Sequence, residues 1–339
     1  LKHRTQFNFY NFKIGNANET QYALSSKLYG NIKNFNDFKN PQLSAVIGID
    51  YNTFKNDTQK IIKRLFITFD PRFDFEYEGM KLSGGFNTTV FFNGNDSAIP
   101  FVNLVLKGSY PIIPNIAELY AGIDGRYQKQ SLRNIINTNP WATQYELYNQ
   151  YENIKSYVGI NTKISPSADA MFELSYSDNS NMPIFVTSGD SLNSFGVKYR
   201  QFNVLKFAGA FNYSFSESVR IGLLGNFYNY GSDDEPEAWQ MPSIDGKLNM
   251  KFNIANKVYP HFDILAMGVQ KARTGMDDKT YKSSTLKALY DISAGIDYRF
   301  KKKLSVFVQA NNILGTRYMR WNNYPVYGFN IVGGITMIF

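Results

Sequence analysis

Side chains that carry catalytic or metal chemistry are sparse in this sequence. Its 339 residues include two histidines, His3 and His261, and no cysteine. Because zinc sites draw most of their ligands from histidine and cysteine, this distant pair does not predict a metal site. The sequence also contains neither the Gly-x-Ser-x-Gly turn of serine hydrolases nor a phosphate-binding glycine-rich loop. We therefore expect no enzyme, no cofactor and no bound metal.

An acidic segment is a second place where metal chemistry has to be considered. It runs from Gly231 to Glu237 and contains Asp233, Asp234 and Glu235. Clustered carboxylates favour Ca²⁺, but this segment lacks the regular ligand spacing of an EF-hand loop. A solvated loop tip is therefore the favoured interpretation.

Charged residues that alternate with apolar ones are the remaining functional candidates. A β-strand turns successive side chains to opposite faces, and in a membrane barrel one face meets lipid and the other a polar lumen. Lumenal charges of mixed sign either line a water-filled pore or pair across a blocked one. We predict that the lumen-facing charges include Asp124, Arg126, Lys155, Arg220, Asp245, Lys247, Lys251, Asp291, Asp297 and Arg299.

The strand pattern that would position these charges is clearest from Ile244 to Ile254. Isoleucine, leucine, methionine and phenylalanine fall on one face there, and aspartate, lysine and asparagine fall on the other. A helix would spread these apolar residues around its whole circumference. The same period of two recurs along most of the chain. No run of about 18 uncharged apolar residues exists that would form a membrane helix.

The spacing of the connections organises these strands. Short connections are expected at 111–115, 165–168, 216–218, 255–257 and 301–303, and longer polar ones at 132–152, 178–193, 231–239 and 271–284. Short turns at one end and long loops at the other are typical of outer-membrane barrels. We predict an all-β protein, a single antiparallel transmembrane β-barrel over residues 1–339. It has about 16 strands (14 to 18), short periplasmic turns and long extracellular loops, and is integral to the bacterial outer membrane.

A soluble β-sandwich or propeller would produce the same alternation, because one face of its sheets is buried and the other is solvated. Three features favour the membrane instead. The turns are short at one end only, aromatic residues gather near strand ends, and the last strand finishes on Phe339.

The net charge of +8 bears on what the surface of the protein contacts. The 36 basic and 28 acidic residues are scattered, and the longest basic run is Lys301–Lys303. A nucleic-acid-binding protein would cluster its basic residues on one face. We expect contacts with anionic outer-membrane lipids and lipopolysaccharide, and none with nucleic acid.

The largest predicted loop carries Trp141, Tyr145 and Tyr148. Exposed aromatic residues on a long loop favour contact with a partner protein, a glycan or lipopolysaccharide. A loop that folds over the barrel and buries these side chains itself explains them equally well. Both interpretations stay open at this point.

The last strand alternates through Tyr327, Ile331, Ile335 and Phe339, with small and partly polar residues between them. An open sheet edge in lipid would leave backbone groups without hydrogen bonds. We therefore expect this strand to pair with the first strand of the chain.

The end of the chain resembles the barrel end of TonB-dependent receptors, particularly those of Bacteroidota. The residues that carry this resemblance are Asn311, Asn312, Tyr318, Trp321, Tyr324, Pro325, Gly328 and Phe339. The resemblance implies that Phe339 is the signal recognised by the barrel-assembly machinery. We expect Tyr318, Trp321, Tyr324 and Tyr327 to form the aromatic girdle and rim at the membrane interface.

The start of the chain departs from that family. A complete receptor has about 22 strands, and a plug fills its lumen. Here a strand-like segment already begins at Arg4 and runs to Ile14. The sequence therefore predicts either a fragment of a receptor or a reduced relative without a plug.

Two classes of function follow from this departure. The first is an accessory or structural subunit of a larger outer-membrane complex, with one or more protein partners, for secretion, protein insertion or surface-lipoprotein handling. The second is a transport protein, either a passive pore or the barrel portion of a TonB-dependent nutrient receptor. The absent plug favours the first class slightly.

Overall fold

A long antiparallel sheet makes up almost the whole molecule. The computed structural model describes residues 2–33, 37–56, 60–94, 98–144, 146–188, 194–301 and 303–338. The elements in chain order are β1 (Lys2–Ile14), β2 (Ala17–Asn31), β3 (Lys39–Lys55), β4 (Ile61–Tyr77), β5 (Met80–Asn93), β6 (Ile99–Ile113), β7 (Ala117–Gln128), α1 (Leu132–Thr138), β8 (Ala142–Gln144), β9 (Gln150–Ser165), β10 (Ala168–Thr187), β11 (Phe195–Ser216), β12 (Val219–Gly231), β13 (Ile244–Phe252), β14 (Val258–Met267), β15 (Gln270–Thr274), β16 (Lys282–Leu286), β17 (Leu289–Lys301), β18 (Leu304–Asn311), β19 (Met319–Trp321), β20 (Tyr324–Pro325) and β21 (Asn330–Met337).

Sixteen of the described strands follow one another as antiparallel neighbours. Their order is β1 to β7, then β9 to β14, then β17, β18 and β21. Each of these strands except β1 and β21 therefore pairs with the strands before and after it in this order, as in an up-and-down barrel. This result confirms the predicted all-β barrel fold of about 16 strands.

The two faces of the sheet differ in chemistry, as the alternation predicted. In β13, Leu248 lies opposite Leu223 and Ile264, whereas its neighbour Asn249 lies opposite Gly222 and Asp263. The apolar face is also the exposed one: Ile49 and Phe207 are 51% and 49% accessible. A soluble β-sandwich would bury this face, so the exposed apolar belt is that of a membrane barrel.

The connections are short at one end of the sheet, which we call the turn end. Those whose residues are all described include 78–79, 114–116, 166–167, 217–218 and 253–257. At the 78–79 turn, Glu78 and Gly79 both have positive φ, of 48° and 80°. This pair of left-handed residues forms a primed turn whose twist matches that of the flanking strands.

The opposite end, which we call the loop end, carries residues 129–149, 232–243, 268–288 and 312–329. These loops contain α1, β8, the β15–β16 hairpin and the β19–β20 hairpin. Two strands extend further toward the loop end than the sequence predicted. Residues 178–187, predicted as loop, continue β10, and β9 already begins at Gln150. No helix within the described ranges is long and apolar enough to cross a membrane.

The expected pairing of the last strand with the first is wrong for the described residues. There β1 pairs with β2 and β21 with β18, and no ladder joins β1 to β21. Both faces of β1 are exposed from Lys2 to Phe9, and Ile335 of β21 is 72% accessible. We call this gap between β1 and β21 the seam. Because lipid cannot satisfy free backbone N–H and C=O groups, the seam requires additional strands or closure.

The alternation in β13 gives a direct test of the membrane-facing side. We expect Leu248→Arg to lower the free energy of unfolding by about 2–4 kcal/mol, because it places a charge on the lipid face near the middle of the strand. The neighbouring variant Asn249→Arg, on the polar face, should lower it by less than 1 kcal/mol, roughly. Urea unfolding in lipid vesicles, followed by tryptophan fluorescence, measures both values. Equal destabilisation by the two variants would contradict the assignment of faces.

Candidate functional site at the loop end of the barrel

The polar face of the sheet carries charges that pair locally along the wall. Lys107 Nζ lies 3.1 Å from Asp124 Oδ2, and Lys247 Nζ lies 3.5 Å from Asp263 Oδ1. Asn226 Nδ2 donates to Asp245 Oδ1 at 2.8 Å. The predicted lumenal charges Asp124, Lys247 and Asp245 therefore have partners on adjacent strands. This part of the polar face is a wall of mixed, mostly compensated charge.

The other predicted lumenal charges have more varied neighbours, and not all of them are compensated. Lys155 Nζ lies 5.4 Å from the Tyr157 ring centroid, and Arg220 lies opposite Lys251 in the β12–β13 ladder. The remaining contacts are those of Asp291 with the Tyr318 hydroxyl, Asp297 with His261 Nδ1 at 3.6 Å, and Arg299 Nη1 with the Tyr259 hydroxyl at 3.2 Å. Each of these residues lies on the polar face of its strand.

Arg126 departs from the prediction, because a β-bulge lies between Asp124 and Arg126. Asp124 contacts Lys107, and Tyr127 packs against Phe101, with ring centroids 5.9 Å apart. Lys107 and Phe101 lie on one face of β6, so Asp124 and Tyr127 share that face. Arg126 therefore points to the opposite side, where its Nε lies 3.1 Å from Glu152 Oε2. At this register shift, two steps along β7 match three steps along β9, and the alternation is interrupted. No local pattern in the sequence indicates such a shift.

A buried ion pair attaches loop 129–149 to the wall. Arg64 of β4 and Glu19 of β2 are both buried, with 3.1 Å between Nη2 and Oε1. Arg64 also donates from Nε to Asn52 Oδ1 at 3.1 Å and from Nη1 to the Gln130 carbonyl at 3.0 Å. The guanidinium thus has hydrogen-bond partners in both the sheet and the loop, as a buried charge requires.

Helix α1 places the apolar part of the same loop over the sheet. The Ser131 hydroxyl accepts a hydrogen bond from the Asn134 N–H at 3.0 Å and caps the first turn. Leu132 and Ile135 are buried on one side of the helix. They belong to an apolar cluster with Ala17, Phe54, Ala142, Phe185, Phe195 and Val197. Residues of β2, β3, β10 and β11 therefore share one core with this loop.

A second buried network fixes loops 232–243 and 268–288. Glu235 accepts from Arg273 Nη1 at 2.9 and 3.0 Å, from Arg200 Nε at 3.0 Å and from Trp239 Nε1 at 2.7 Å. Asp278 joins the same guanidinium groups, with 2.9 Å to each, and the Lys198 ammonium. In the acidic segment that was considered as a cation site, Glu235 therefore pairs with the arginine side chains of the protein itself. No metal-binding group of His, Asp or Glu occurs in the described part of the chain.

Loop 312–329 is held by polar and aromatic contacts. Asn322 donates from its backbone N–H to Gln240 Oε1 at 3.2 Å, and from Nδ2 to Thr187 Oγ1 at 3.2 Å and Thr274 Oγ1 at 3.3 Å. Trp321 packs edge-on against Phe185, with ring centroids 5.2 Å apart. These contacts join the loop to β10, β15 and loop 232–243.

The predicted rim aromatics divide into three environments. Trp321 and Tyr324 pack inside the loop end, where Tyr324 stacks on Trp141 at 4.2 Å and 11°. Burial raises the pKa of the Tyr318 phenol, which donates to Asp291. Tyr327 is 90% accessible. Trp321 and Tyr324 therefore stabilise the packing of the loops, a role for which their aromatic type gave no specific indication.

The predicted partner-contact loop is partly packed and partly exposed. Trp141 is half-exposed beside Tyr324, and Tyr148 is half-exposed with its ring edge-on to Tyr199 at 5.2 Å. Tyr145 and the proposed assembly signal Phe339 both lie outside the described residues. Contact with a partner, a glycan or lipopolysaccharide stays a prediction.

Beneath these loops lies a cavity of about 360 Å³, which we call the mouth chamber. Its wall includes Tyr228 and Tyr230 of β12, and its cover includes Trp239, Gln240, Arg320 and Trp321. Sequence reasoning did not identify Gln240, Arg273, Glu19 or Arg64. Their partners are distant in the chain, so no local motif marks them.

By sequence, no protein-family model and no curated protein matches the chain. Solved structures match its fold. The siderophore receptor PirA from Acinetobacter baumannii superposes with a TM-score of 0.71 at 10% identity, over 95% of this chain and 55% of that one. The ferripyoverdine receptor of the Pseudomonas aeruginosa outer membrane gives 0.70 at 9% identity, over 99% and 53%. The FrpB iron transporter from Neisseria meningitidis gives 0.68 at 10% identity, over 95% and 55%.

These matches define the fold of the chain as that of an integral outer-membrane β-barrel. More particularly, the sheet has the fold of the barrel in TonB-dependent receptors, whose solved members named above are receptors and transporters. The chain spans about half the length of each of these structures. At 9–10% identity the likeness is one of fold.

The Glu235 network predicts how firmly the loops are held. Glu235→Gln leaves Arg273 buried without full compensation, which should lower the free energy of opening loops 232–243 and 268–288 by about 3–5 kcal/mol. Limited proteolysis of the detergent-solubilised protein measures this opening. The exposed Glu237→Gln variant on the same loop is the matched control and should be cut at the wild-type rate. Equal cutting of both variants would contradict the anchoring role.

We expect loops 232–243 and 268–288 to be released by acid only below the pH range in which an ordinary aspartate is protonated. The Lys198 ammonium, then the Arg273 and Arg200 guanidinium groups, hold the pKa of Asp278 well below its usual range. Because the folded pKa lies below the unfolded value of about 3.9, the stabilisation is complete at neutral pH. It is lost progressively as pH falls from about 3.9 to the lowered value. The protection factors of the amides in loop 268–288, which correct for the intrinsic pH dependence of hydrogen exchange, should therefore stay constant from pH 7 to about pH 4. A fall in protection near pH 5 would refute this.

Proposed function

We propose that this chain forms most of the wall of an outer-membrane transport protein, whose solute enters at the loop end. The observation that carries the proposal is the loop end itself, where buried ion pairs fix three loops, and the hydrogen bonds of Asn322 fix a fourth, over a polar, mixed-charge wall. The fold shared with siderophore receptors and an iron transporter supports the same class. In this proposal the protein is not an enzyme, and outer-membrane lipids and lipopolysaccharide contact its apolar belt.

The seam is part of the proposal. Outer-membrane transporters of this fold have about 22 strands and a plugged lumen, and the matched structures are almost twice as long as this chain. We propose that further strands pair with the free edges of β1 and β21 and complete the wall. Backbone hydrogen bonds along both edges, together with the apolar belt, would provide the stabilisation.

An accessory or structural subunit is the second candidate, and the seam favours it as well. Free strand edges are the surfaces on which one protein adds a strand to the sheet of another. A partner protein that fills the seam would make this chain a subunit of a larger complex for secretion, protein insertion or surface-lipoprotein handling. We also propose that the chain end is of the Bacteroidota type and that the barrel-assembly machinery recognises Phe339.

Planar-bilayer conductance of the full-length protein, purified from its own outer membrane, tests the transport role. Trp321→Ala combined with Tyr324→Ala removes the aromatic contacts of loop 312–329 and should increase the conductance, because that loop then moves away from the mouth. Tyr327→Ala, which alters an almost fully exposed ring in the same loop, should leave the conductance unchanged.

The result also separates the two candidates. Channels that open further in the double variant support transport. Silence of the wild-type protein and of both variants, together with stoichiometric co-purification of a second barrel-associated protein, would overturn the transport role in favour of the accessory one.

A further inference from the structure

A row of small residues crosses the lipid-facing side of four neighbouring strands. Gly209 of β11 lies opposite Gly225 of β12, which in turn lies opposite Gly246 of β13. The row ends at Ala266 of β14, the partner of Gly246. It belongs to the apolar face, because side chains alternate along a strand and Leu248, two residues from Gly246, lies on that face.

Larger side chains on both sides of this row turn it into a groove of about 630 Å³. Each row of large residues lies two residues along the strands from the small ones, so both rows point to the same face of the sheet. The groove is bordered toward the loop end by Phe207, Phe227 and Ile244, and toward the turn end by Phe211 and Leu223.

The glycines of the row leave space that the protein does not fill. A Cβ atom at Gly225 would meet nothing within 4 Å, and one at Gly209 would meet only the Phe172 ring, at 3.5 Å. Neither glycine has a positive φ, so the backbone does not require one there. Glycines of the polar face differ, because a Cβ atom at Gly122 would collide with the Tyr157 side chain. The space at the row is therefore available to another molecule.

The chemistry of the groove favours a hydrocarbon. Asn226 and Asp245 lie in its floor, but their side chains belong to the polar face, where Asn226 Nδ2 donates to Asp245 Oδ1 at 2.8 Å. Apart from the Tyr290 phenol at one end, the side chains that face the groove are apolar. The groove is also continuous with the exposed apolar belt, whose surroundings are lipid.

The dimensions of the groove select a single acyl chain over a helix. Phe227 and Leu223 are four residues apart on β12, so their Cα atoms are about 14 Å apart, and both side chains narrow that distance. A transmembrane helix is about 10–12 Å wide and is too broad to enter. Along the row, three strand spacings give about 14 Å, close to the roughly 15 Å depth of hydrocarbon in one leaflet.

The position of the groove identifies the leaflet. Beyond Ala266 it is lined by Gly268 and Ala288 of loop 268–288, so it reaches the loop end of the sheet. The long loops of such barrels are extracellular. The groove therefore opens into the outer leaflet of the outer membrane, which is the leaflet that holds lipopolysaccharide.

We propose that this groove binds one acyl chain of the lipid A part of lipopolysaccharide, with the headgroup toward the loop end. An empty groove would lose dispersion contacts along its walls, and a bound chain restores them. The proposal rests on the proposed contact of lipopolysaccharide with the apolar belt and assigns that contact to one place. It holds equally for a transport protein and for an accessory subunit.

The test measures the lipid that the full-length protein retains when it is purified from its own outer membrane in a mild detergent. Mild acid hydrolysis releases lipid A, and mass spectrometry quantifies lipid A and phospholipid per mole of protein. We expect the wild-type protein to retain lipopolysaccharide through purification, because the groove restrains one of its chains.

Two variants locate the site. Gly225→Leu places a side chain in the open space of the groove and should lower the retained lipid A about fivefold or more, since it takes the position of the chain. Gly84→Leu is the matched control. Gly84 lies opposite Leu106 on the lipid face of β5, outside the groove, and a Cβ atom there would meet only the Leu106 side chain, at 3.8 Å. This variant should retain lipid A as the wild type does, and circular dichroism confirms the sheet in both.

Four outcomes would overturn the proposal: no lipid A on the wild-type protein, phospholipid retained in its place, unchanged lipid A in Gly225→Leu, or an equal loss in Gly84→Leu. The conductance experiment is independent of these results. Silence in the bilayer would overturn transport and leave the lipid site in place, whereas conductance with unchanged lipid A in Gly225→Leu would do the reverse.

Discussion

The requirement that every backbone N–H and C=O be paired within lipid determines the rest of this structure. Water is absent from the membrane interior, so a spanning sheet must satisfy its hydrogen bonds between neighbouring strands. Each long strand from β2 to β18 meets this condition with partners on both sides. The same requirement forces the period-two chemistry, because pairing leaves each side chain only two directions, one toward lipid and one toward the polar interior. It also makes the seam the place where the described sheet is incomplete.

The features of the fold that the sequence could predict are those that depend on residues close together in the chain. The alternation from Ile244 to Ile254 is local, so the faces of β13 and the approximate number of strands followed from it. At Arg126 a register shift between β7 and β9 interrupts the alternation, which composition does not indicate. The seam escaped prediction for a different reason, since pairing between β1 and β21 depends on the curvature of the whole sheet.

The candidate site was less predictable because its contacts are long-range. Glu19 and Arg64 are 45 residues apart, and Asn322 and Thr187 are 135 apart. Glu235 lies in an acidic segment that, as sequence alone, equally well describes a solvated loop or a cation site. Its partners Arg200 and Arg273 come from two other elements, and only their arrival makes the carboxylate an anchor.

The long separations in the loop end have a consequence for the order of assembly. Contacts between residues far apart in the chain form late, because closing long loops costs entropy before the contacts repay it. Loop 312–329 reaches Thr187 and Gln240 only when β10, β15 and the last hairpins already stand side by side. We therefore expect the mouth to be covered late in folding, after these strands have paired. The time at which this loop becomes protected from protease would then report when these strands have paired.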